Sequence, residues 1–475
     1  MSTNGTMKDR LTTGFIRFFE KWTPNSMVFA FLLTIVVGIL ALLFTPTPLL
    51  FTSAEGQLSL VDAWVQGFWN LLTFAMQMAL IMITGSVVAT APPVKRALQR
   101  LAYVPNSPFS AIMLILLVTG ITYWIHWGAG MMFSINLGRE ILAASREKGY
   151  KIHQPAFVAL SYSTFAAGIG LSQAAPILGA TPGALQDLVV SDAVKAYIPE
   201  TVPLTQTVLS PINLLHCGLI LLVVIVLGWA LYPKKDSQIV ELSDELYEDI
   251  KKSGEAQLSR HKATSPADWI NHSPLLNLVI GGFGLFWIIK LMASGGFANI
   301  SLDNINFILL ILGVLLCRDP ETFCSCVMQA TASVWGVIIQ FPFYAGIFGM
   351  IAYTGLSDVI VNFFMSFATK GNFPMVAYIY SAILNMAVPS GGSKFAIEAP
   401  YILDVCSRLD IDVGKILLAY TFGDQTTNII QPFWALPFLA MYKLDFKHIL
   451  PFAFMICIAA LIIDCIFTGF VYQLI

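Results

Sequence analysis

The chain has 475 residues, of which 57% are hydrophobic and 11% are charged, and its formal net charge is −2. A mean hydropathy of +0.74 excludes an ordinary soluble globular protein, and the near-neutral charge gives no indication of a nucleic-acid partner. Apolar runs of about 20 residues, the length needed to cross a bilayer, recur along the whole sequence. The composition therefore predicts an all-α polytopic membrane protein.

The first apolar runs predict a cytoplasmic N-terminus, two spans and a hairpin. Residues 1–26 are followed by the run 27–44, which is too long for a cleaved signal peptide and is interpreted as the first span. The second span is predicted at 64–91. Basic residues lie on both sides of 109–142, so the positive-inside rule places both of its ends in the cytoplasm. We interpret 109–142 as a re-entrant hairpin with its tip at 126–130.

A broken span is predicted next, at 155–180, where glycines and polar residues interrupt the apolar run around 168–173. The acidic loop 181–203 suits the outside, and 204–232 returns to the cytoplasm. Together, 27–232 form the first predicted repeat.

The mixed-charge stretch 233–273 predicts a cytoplasmic linker with a short amphipathic helix, and 274–475 forms the second predicted repeat. Its elements are predicted as spans at 274–292, 300–317 and 326–353, a re-entrant hairpin at 373–403 with external ends, a broken span at 416–440 interrupted at 424–432, and a last span at 449–472.

The distribution of basic residues favours this topology. Of the 26 Lys and Arg residues, all but six fall on the predicted cytoplasmic side; the others are Lys195, Lys370, Arg408 and Lys415 outside and Lys290 and Lys394 within spans. The result is about nine transmembrane helices, two hairpins of opposite entry and two halves of inverted topology. A faint internal repeat agrees, since Gly85, Thr90 and Gly128 recur 264 residues later as Gly349, Thr354 and Gly392.

Polar residues in the second broken span are candidates for ion coupling. A carboxylate within a span is costly and normally faces a cavity with a partner, so Asp424 is either a cation ligand or proton acceptor, or a helix cap. Gln425 and Thr426 are assigned with it to the coupling ion, which is Na⁺ or H⁺. Thr427 and Asn428 offer further neutral oxygens and donors.

The glycine-rich hairpin tips are candidates for carboxylate binding, because a helix that begins there presents free N–H groups to an anion. Glycine-rich turns also occur for steric reasons alone. His126 is either a tip donor or an ordinary buried histidine, and Lys394 is predicted to pair with Glu398 one turn away. The candidate substrate-binding residues are His126, Trp127, Gly128, Gly130, Ser172, Gln173, Asn385, Ser390, Gly391, Gly392, Ser393, Lys394, Thr427, Asn428 and Gln431.

Other chemistry receives little support. Cys317, Cys324 and Cys326 are interpreted as small apolar residues, and His216, Lys290 and Asp464 as structural. We predict no cofactor, and no metal other than a possible Na⁺. An intramembrane enzyme would need HExxH or a second catalytic aspartate, and neither is evident. Hairpins of opposite entry favour a carrier over a channel.

Four segments resemble the bacterial short-chain fatty acid transporter family: GFWNLLTFAMQMALIMITG at 67–85, QFPFYAGI at 340–347, NMAVPSGG at 385–392 and QPFWALP at 431–437. The resemblance implies a multi-pass inner-membrane carrier that takes up acetoacetate, butyrate and similar monocarboxylates. It also implies ion coupling, an elevator-like movement and a homodimer. The sequence departs from the family pattern at Ser393-Lys394 and at Glu398, which bears on the exact substrate.

The alternative is a carrier for dicarboxylates, amino acids or another small anion on the same scaffold. We favour a monocarboxylate because Lys394, the one candidate cation, has Glu398 as its predicted partner, and a second unpaired buried carboxylate is costly. The apolar tail of the substrate is predicted to contact Phe341, Phe343, Phe433 and Trp434.

Overall fold

The computed structural model describes residues 26–51, 58–233, 238–255, 264–296, 300–331, 334–386, 388 and 390–473. Within these ranges the regular structure is entirely helical. The α-helices up to the linker are α1 (Ser26–Phe44), α2 (Leu60–Asn70), α3 (Leu72–Thr90), α4 (Pro92–Ala102), α5 (Pro108–Ile125), α6 (Trp127–Lys148), α7 (Gln154–Ser163), α8 (Ala174–Ala180), α9 (Asp192–Tyr197) and α10 (Pro211–Leu231).

The remaining helices begin in the linker and continue to the C-terminal region. They are α11 (Asp244–Glu255), α12 (Pro266–Asn271), α13 (Pro274–Gly295), α14 (Leu302–Leu316), α15 (Pro320–Thr331), α16 (Trp335–Tyr353), α17 (Leu356–Met365), α18 (Phe373–Asn385), α19 (Gly391–Leu409), α20 (Val413–Asn428), α21 (Pro432–Ala440) and α22 (Phe446–Gly469).

Serine caps define where several of these apolar helices begin. Ser107 precedes α5 and accepts a hydrogen bond from the backbone N–H of Ser110, with Pro108 at the first helical position. Ser210 and Pro211 start α10 in the same way. A capping serine satisfies an N–H that has no partner within the helix, and proline at the first position has no N–H to satisfy.

Five helical segments in the described ranges are long and apolar enough to cross a membrane: Leu72–Thr90, Pro108–Ile125, Pro211–Leu231, Pro266–Gly295 and Phe446–Gly469. A sixth candidate is a pair, Ile338–Tyr353 with Leu356–Met365, which bends by 74°. Gly355, with a φ of +82°, provides the left-handed turn between them. The fold is thus the predicted all-α membrane architecture, whereas the count of nine spans, the re-entrant entry of the hairpins and the inversion of the halves stay predictions.

Two runs that were predicted as single spans, 64–91 and 326–353, are each divided into two helices. The first is interrupted at Leu71, and the second separates into α15 and α16. The interruption at Leu71 lets α2 pack closely along α16, while α3 continues towards α6 and α14. At the crossing, a Cβ atom on Gly349 would lie 2.2 Å from the carbonyl oxygen of Ala63. Small residues permit such close backbone contact between membrane helices.

The second broken span is interrupted within the predicted interval 424–432, but over only its last part. Helix α20 continues through Asp424 to Asn428, and the irregular segment is 429–431. Several of these polar side chains are hydrogen-bonded by neighbouring groups, as described below, and a residue that directly precedes a proline, here Gln431, disfavours helical backbone. The first broken span is interrupted where predicted, since 168–173 separates the 3₁₀ turn Thr164–Ala167 from α8.

The linker contains a helix, α11, at the place where a short amphipathic helix is predicted. Ion pairs join it to residues assigned to the cytoplasm: Arg139 with Asp249 at 2.7 Å, and Lys443 with Glu245 at 2.7 Å. A separate set of ion pairs joins residues assigned to the outside: Lys370 with Asp410, and Arg408 with Asp404 and Asp358.

Candidate functional site

The tips of the two predicted hairpins are built alike. His126 caps α6, its Nδ1 accepting a hydrogen bond from the N–H of Ala129 at 3.0 Å. Ser390 caps α19, its hydroxyl accepting from the N–H of Ser393 at 3.4 Å. These two caps lie 264 residues apart, the same separation as the repeated glycines. In each tip the helix that follows therefore starts at the residue after the cap.

Hydrogen bonds join each tip to a broken span. The backbone N–H of Trp127 donates to the Ser172 hydroxyl at 2.9 Å, which ties the first tip to the irregular segment before α8. Asn385, at the end of α18, donates to the Asp424 carbonyl, the Thr427 hydroxyl and the Asn428 side-chain oxygen at 2.7–3.0 Å. These bonds satisfy the polar turns of α20 and fix it against the second tip.

The two broken spans also contact each other. The side-chain amide of Gln425 donates to Oε1 of Gln173 at 2.9 Å, and Gln173 in turn donates to the Gly168 carbonyl at 2.9 Å. The Tyr162 hydroxyl donates to the Asn428 carbonyl at 2.7 Å. The tips and interruptions therefore form one connected structure.

A cavity opens where these elements meet, with an empty volume of about 510 Å³ including its mouth. Eight of the predicted site residues line it: Trp127, Gln173, Ser390, Gly391, Gly392, Asp424, Gln425 and Asn428. The cavity lies between both tips and both broken spans, which is where secondary transporters hold their substrates.

Ten predicted site residues do not line this cavity: His126, Gly128, Gly130, Ser172, Asn385, Ser393, Lys394, Thr426, Thr427 and Gln431. Several of them support residues that do, through the contacts given above. Gln431 donates to the carbonyls of Asn385 and Met386 at 3.2 Å, which holds the segment after α20 on α18.

Thr426 points away from the cavity. Its hydroxyl donates to Oδ2 of Asp464 at 2.5 Å, and Oδ1 of Asp464 lies 2.6 Å from Nε2 of His216. This fully buried cluster joins α20 to α10 and α22. The interpretation of His216 and Asp464 as structural stays a prediction, and Thr426, which was assigned to the coupling ion, contacts this cluster instead of the cavity.

The predicted partner of Lys394 is wrong. Its ammonium lies 3.2 Å from Oδ1 of Asp424, whereas both carboxylate oxygens of Glu398 have no hydrogen-bond partner among the described residues. Lys394 also donates to the Ser381 carbonyl at 2.9 Å and to the Ser381 hydroxyl at 2.8 Å. The packing of α20 places Asp424 over the start of α19. This contact joins segments that are distant in the sequence, so it could not be predicted from the four-residue spacing of Lys394 and Glu398.

The alternative role of Asp424 as a helix cap is also wrong. It lies inside α20, and its side chain contacts Lys394 and the amide of Gln425. A Cβ atom on Gly391 would lie 2.7 Å from Oδ2 of Asp424, so a larger residue at the start of α19 would displace this carboxylate.

The apolar wall of the cavity contains both predicted and unexpected residues. Phe341 and Trp434 line it as predicted, whereas Phe343 instead packs against Phe31 and Phe68. The side chain of Phe433 lies outside the described residues. The wall residues that were not predicted are Met78, Met82, Phe165 and Ala174.

A sequence signal was available for three of these four residues. Met78 and Met82 are four apart, so they share one face of α3, within a segment that carries the family resemblance. Ala174 directly follows the predicted interruption.

The chain matches known proteins along nearly its whole length. The family model described as "Short chain fatty acid transporter" matches residues 7–474. Two relatives, each named "Putative short-chain fatty acid transporter", are both 32% identical to the chain. The relative from Escherichia coli strain K12 aligns over 98% of both chains, and that from Haemophilus influenzae over 96% of this chain and 97% of the relative.

Two solved transporters have a similar fold at 16% sequence identity. The YdaH transporter of Alcanivorax borkumensis gives a TM-score of 0.55, over 94% of this chain and 98% of that one. MtrF of Neisseria gonorrhoeae, described with a class of antimetabolite efflux pumps, gives 0.53 over 98% of each. The family is one of transporters and not of enzymes. From the match along nearly its whole length, this chain belongs to the short-chain fatty acid transporter family.

Proposed function

We propose that this chain is a secondary active carrier that takes up short-chain monocarboxylates, such as butyrate and acetoacetate, across the bacterial inner membrane. The observation that carries the proposal is a cavity with one polar end, one apolar wall and no lysine or arginine among the described residues that line it. Family membership supports the transport of short-chain fatty acids.

The polar end suits one carboxylate. Gly391 and Gly392 are the first residues of α19, where backbone N–H groups have no intrahelical acceptor and the helix dipole is positive. The amides of Gln173, Gln425 and Asn428 add neutral hydrogen-bonding groups around the same space. A helix start with neutral donors binds an anion without requiring a fixed positive charge.

The apolar wall suits a short carbon chain. Phe341 and Trp434 face the cavity with Met78 and Met82, two side chains that adapt to irregular shapes. Burying each CH₂ group contributes about 0.8 kcal/mol, so affinity should be modest and should rise with chain length until the cavity is full.

A dicarboxylate fits this cavity less well. Lys394 is the nearest described cation to the polar end, and its ammonium is already held by Asp424 and Ser381. A second carboxylate would therefore be desolvated without a cationic partner, at a cost of several kcal/mol.

The wider mechanism forms part of the proposal. We expect ion-coupled, elevator-like alternating access, with Asp424 in the coupling machinery, in a homodimer whose N-terminus is cytoplasmic. The exposed apolar surface of α13, which includes Phe283, Phe286 and Ile289, supports contact with lipid or with a second copy.

Substrate competition tests the proposal. Purified protein in proteoliposomes should take up radiolabelled acetoacetate, and excess butyrate should inhibit this uptake while succinate and citrate should not. Protein-free liposomes provide the background, because undissociated short acids cross bilayers unaided. Inhibition by succinate, with none by butyrate, would assign the protein to the dicarboxylate alternative.

A further inference from the structure

The ammonium of Lys394 occupies a cage of oxygen atoms beside the cavity. Its neighbours are the carbonyl and hydroxyl of Ser381 at 2.9 and 2.8 Å, and Oδ1 of Asp424 at 3.2 Å. The ring of Tyr420 lies 4.8 Å from the ammonium and completes the enclosure. Carbonyl, hydroxyl and carboxylate oxygens are also the ligands that hard cations prefer. Lys394 is fully buried, so its ammonium group has no contact with solvent outside this cage.

Glu398 lies one helical turn further along α19 and has a different environment. It is also fully buried, but neither of its carboxylate oxygens makes a hydrogen bond with a described residue. The titratable groups around it are Lys394 and Tyr401 on its own helix, Tyr420 and Asp424 on α20, and Tyr380 on α18. No hydrogen bond of normal geometry joins it to the Tyr420 hydroxyl. A buried carboxyl that has tyrosine hydroxyls beside it but no hydrogen bond of normal geometry is an unusual and costly feature that calls for a functional explanation.

We infer that Lys394 and Glu398 together make the proton, and not Na⁺, the coupling ion of this carrier. The Lys394 ammonium is a tethered cation that occupies the position beside Asp424 where Na⁺ would have to bind. Glu398 carries the proton that drives uptake. The inference rests on the proposed function, since it names the ion for that same transport cycle.

The charges balance over one cycle. With the cavity open to the outside, the Glu398 carboxylate accepts one proton from the medium, and one substrate carboxylate enters the cavity. Once the site opens to the cytoplasm, substrate leaves and Glu398 releases the proton on that side. The pair of Lys394 and Asp424 is neutral throughout, so one proton and one monocarboxylate anion cross with no net charge.

The wild-type protein provides the first test. In proteoliposomes, an inward gradient of one pH unit should drive about tenfold protein-dependent accumulation of acetoacetate, because one pH unit is a tenfold difference in proton activity. Replacing Na⁺ by K⁺ on both sides should leave this uptake unchanged. Accumulation driven by a Na⁺ gradient at equal pH would overturn the inference.

Exchange without any gradient separates this inference from the proposed function. If counterflow of acetoacetate is absent in the wild type, the proposed function fails; if counterflow is present but responds to Na⁺, only the coupling inference fails. Glu398→Gln mimics the protonated acid, so it should keep counterflow and lose pH-driven accumulation. Accumulation that persists in a folded Glu398→Gln protein would overturn the role of Glu398.

Lys394→Gln tests the tethered cation. It empties the cage and leaves Asp424 without its cation, so Na⁺ but not K⁺ should raise the melting temperature of the purified variant. The wild type should show no such difference between the two ions. A folded variant with equal melting temperatures in Na⁺ and K⁺ would contradict the assignment of Lys394, and Ser393→Ala, next to it on α19, serves as the matched control.

Discussion

Phe341 and Phe343 lie two residues apart on α16, yet they face different surroundings. Phe341 is buried, lines the cavity and packs edge-on against Phe74 at 5.6 Å. Phe343 packs on α1 and α2 through Phe31 and Phe68. Two residues correspond to about 200° around a helix, so the two rings must point to opposite sides. They form a matched pair for testing the apolar wall.

Phe341→Ala should reduce the discrimination between chain lengths. Butyrate has two more CH₂ groups than acetate, which corresponds to about 1.6 kcal/mol or about a fifteenfold difference in affinity if both are buried. The ratio of the inhibition constant of acetate to that of butyrate should fall several-fold in Phe341→Ala and stay unchanged in Phe343→Ala. A ratio that changes only in Phe343→Ala would show that the wall has been assigned to the wrong ring.

Some residues of the candidate site could be predicted from the sequence, and others could not. The candidates Asp424, Ser390 and Gly391 could be found because polar residues and glycines stand out within apolar runs. The partner of Lys394 could not, because the choice between Glu398 and Asp424 depends on how α20 packs over α19. Met78 and Met82 were missed because methionine in an apolar run is the expected residue of any buried or lipid-facing helix.

At the level of elements, helix crossings depend on residues that carry no chemistry. A Cβ atom on Gly349 would lie 2.2 Å from the Ala63 carbonyl oxygen and 2.6 Å from the Cα of Gly67. Both contacts are with backbone atoms, which cannot move aside as a flexible side chain can. The crossing of α2 and α16 therefore requires glycine at this position.

Gly349→Ala should destabilise the protein by about 1–3 kcal/mol, the usual cost of inserting a methyl group into a tightly packed contact. The apparent melting temperature in detergent should fall by several degrees. Gly282→Ala on α13 is the control, since nothing lies within 4 Å of the Cβ atom it adds. Equal melting temperatures for the two variants would contradict the close crossing.

The sequence predicts where helices exist better than where they are interrupted. Apolar length identifies α1, α5, α13 and α22 to within about three residues of their ends, because hydrophobicity alone defines a membrane helix. The interruption after Asn428 is shorter than the predicted interval 424–432, and Asn385 and Asp464 hydrogen-bond polar side chains in the part that stays helical. Such tertiary partners are not visible in a local pattern.

For the whole molecule, two groups of ion pairs join residues that the predicted topology assigns to opposite sides of the membrane. One set surrounds α11 and includes Arg139 and Lys443, and the other includes Lys370 and Arg408. The inverted repeat and its orientation in the membrane, which rest on the positive-inside rule, remain predictions.

Accessibility labelling tests that topology. Among the native cysteines with described positions, Cys324 is the exposed one, so a Cys324→Ser protein should show little labelling of native thiols. Glu248→Cys on α11 and Asp192→Cys on α9 introduce single exposed thiols. An impermeant maleimide should label Asp192→Cys in intact cells and Glu248→Cys only after the membrane is opened. Labelling of both from the same side would refute the inverted arrangement.

The central claim is that the cavity between the two tips carries one monocarboxylate at a time. Counterflow tests it most directly, since it needs no driving ion and reports only a carrier that exchanges substrate. Proteoliposomes preloaded with unlabelled butyrate should show a transient overshoot of external radiolabelled acetoacetate, and those preloaded with succinate should not. An overshoot with succinate and none with butyrate would contradict the account.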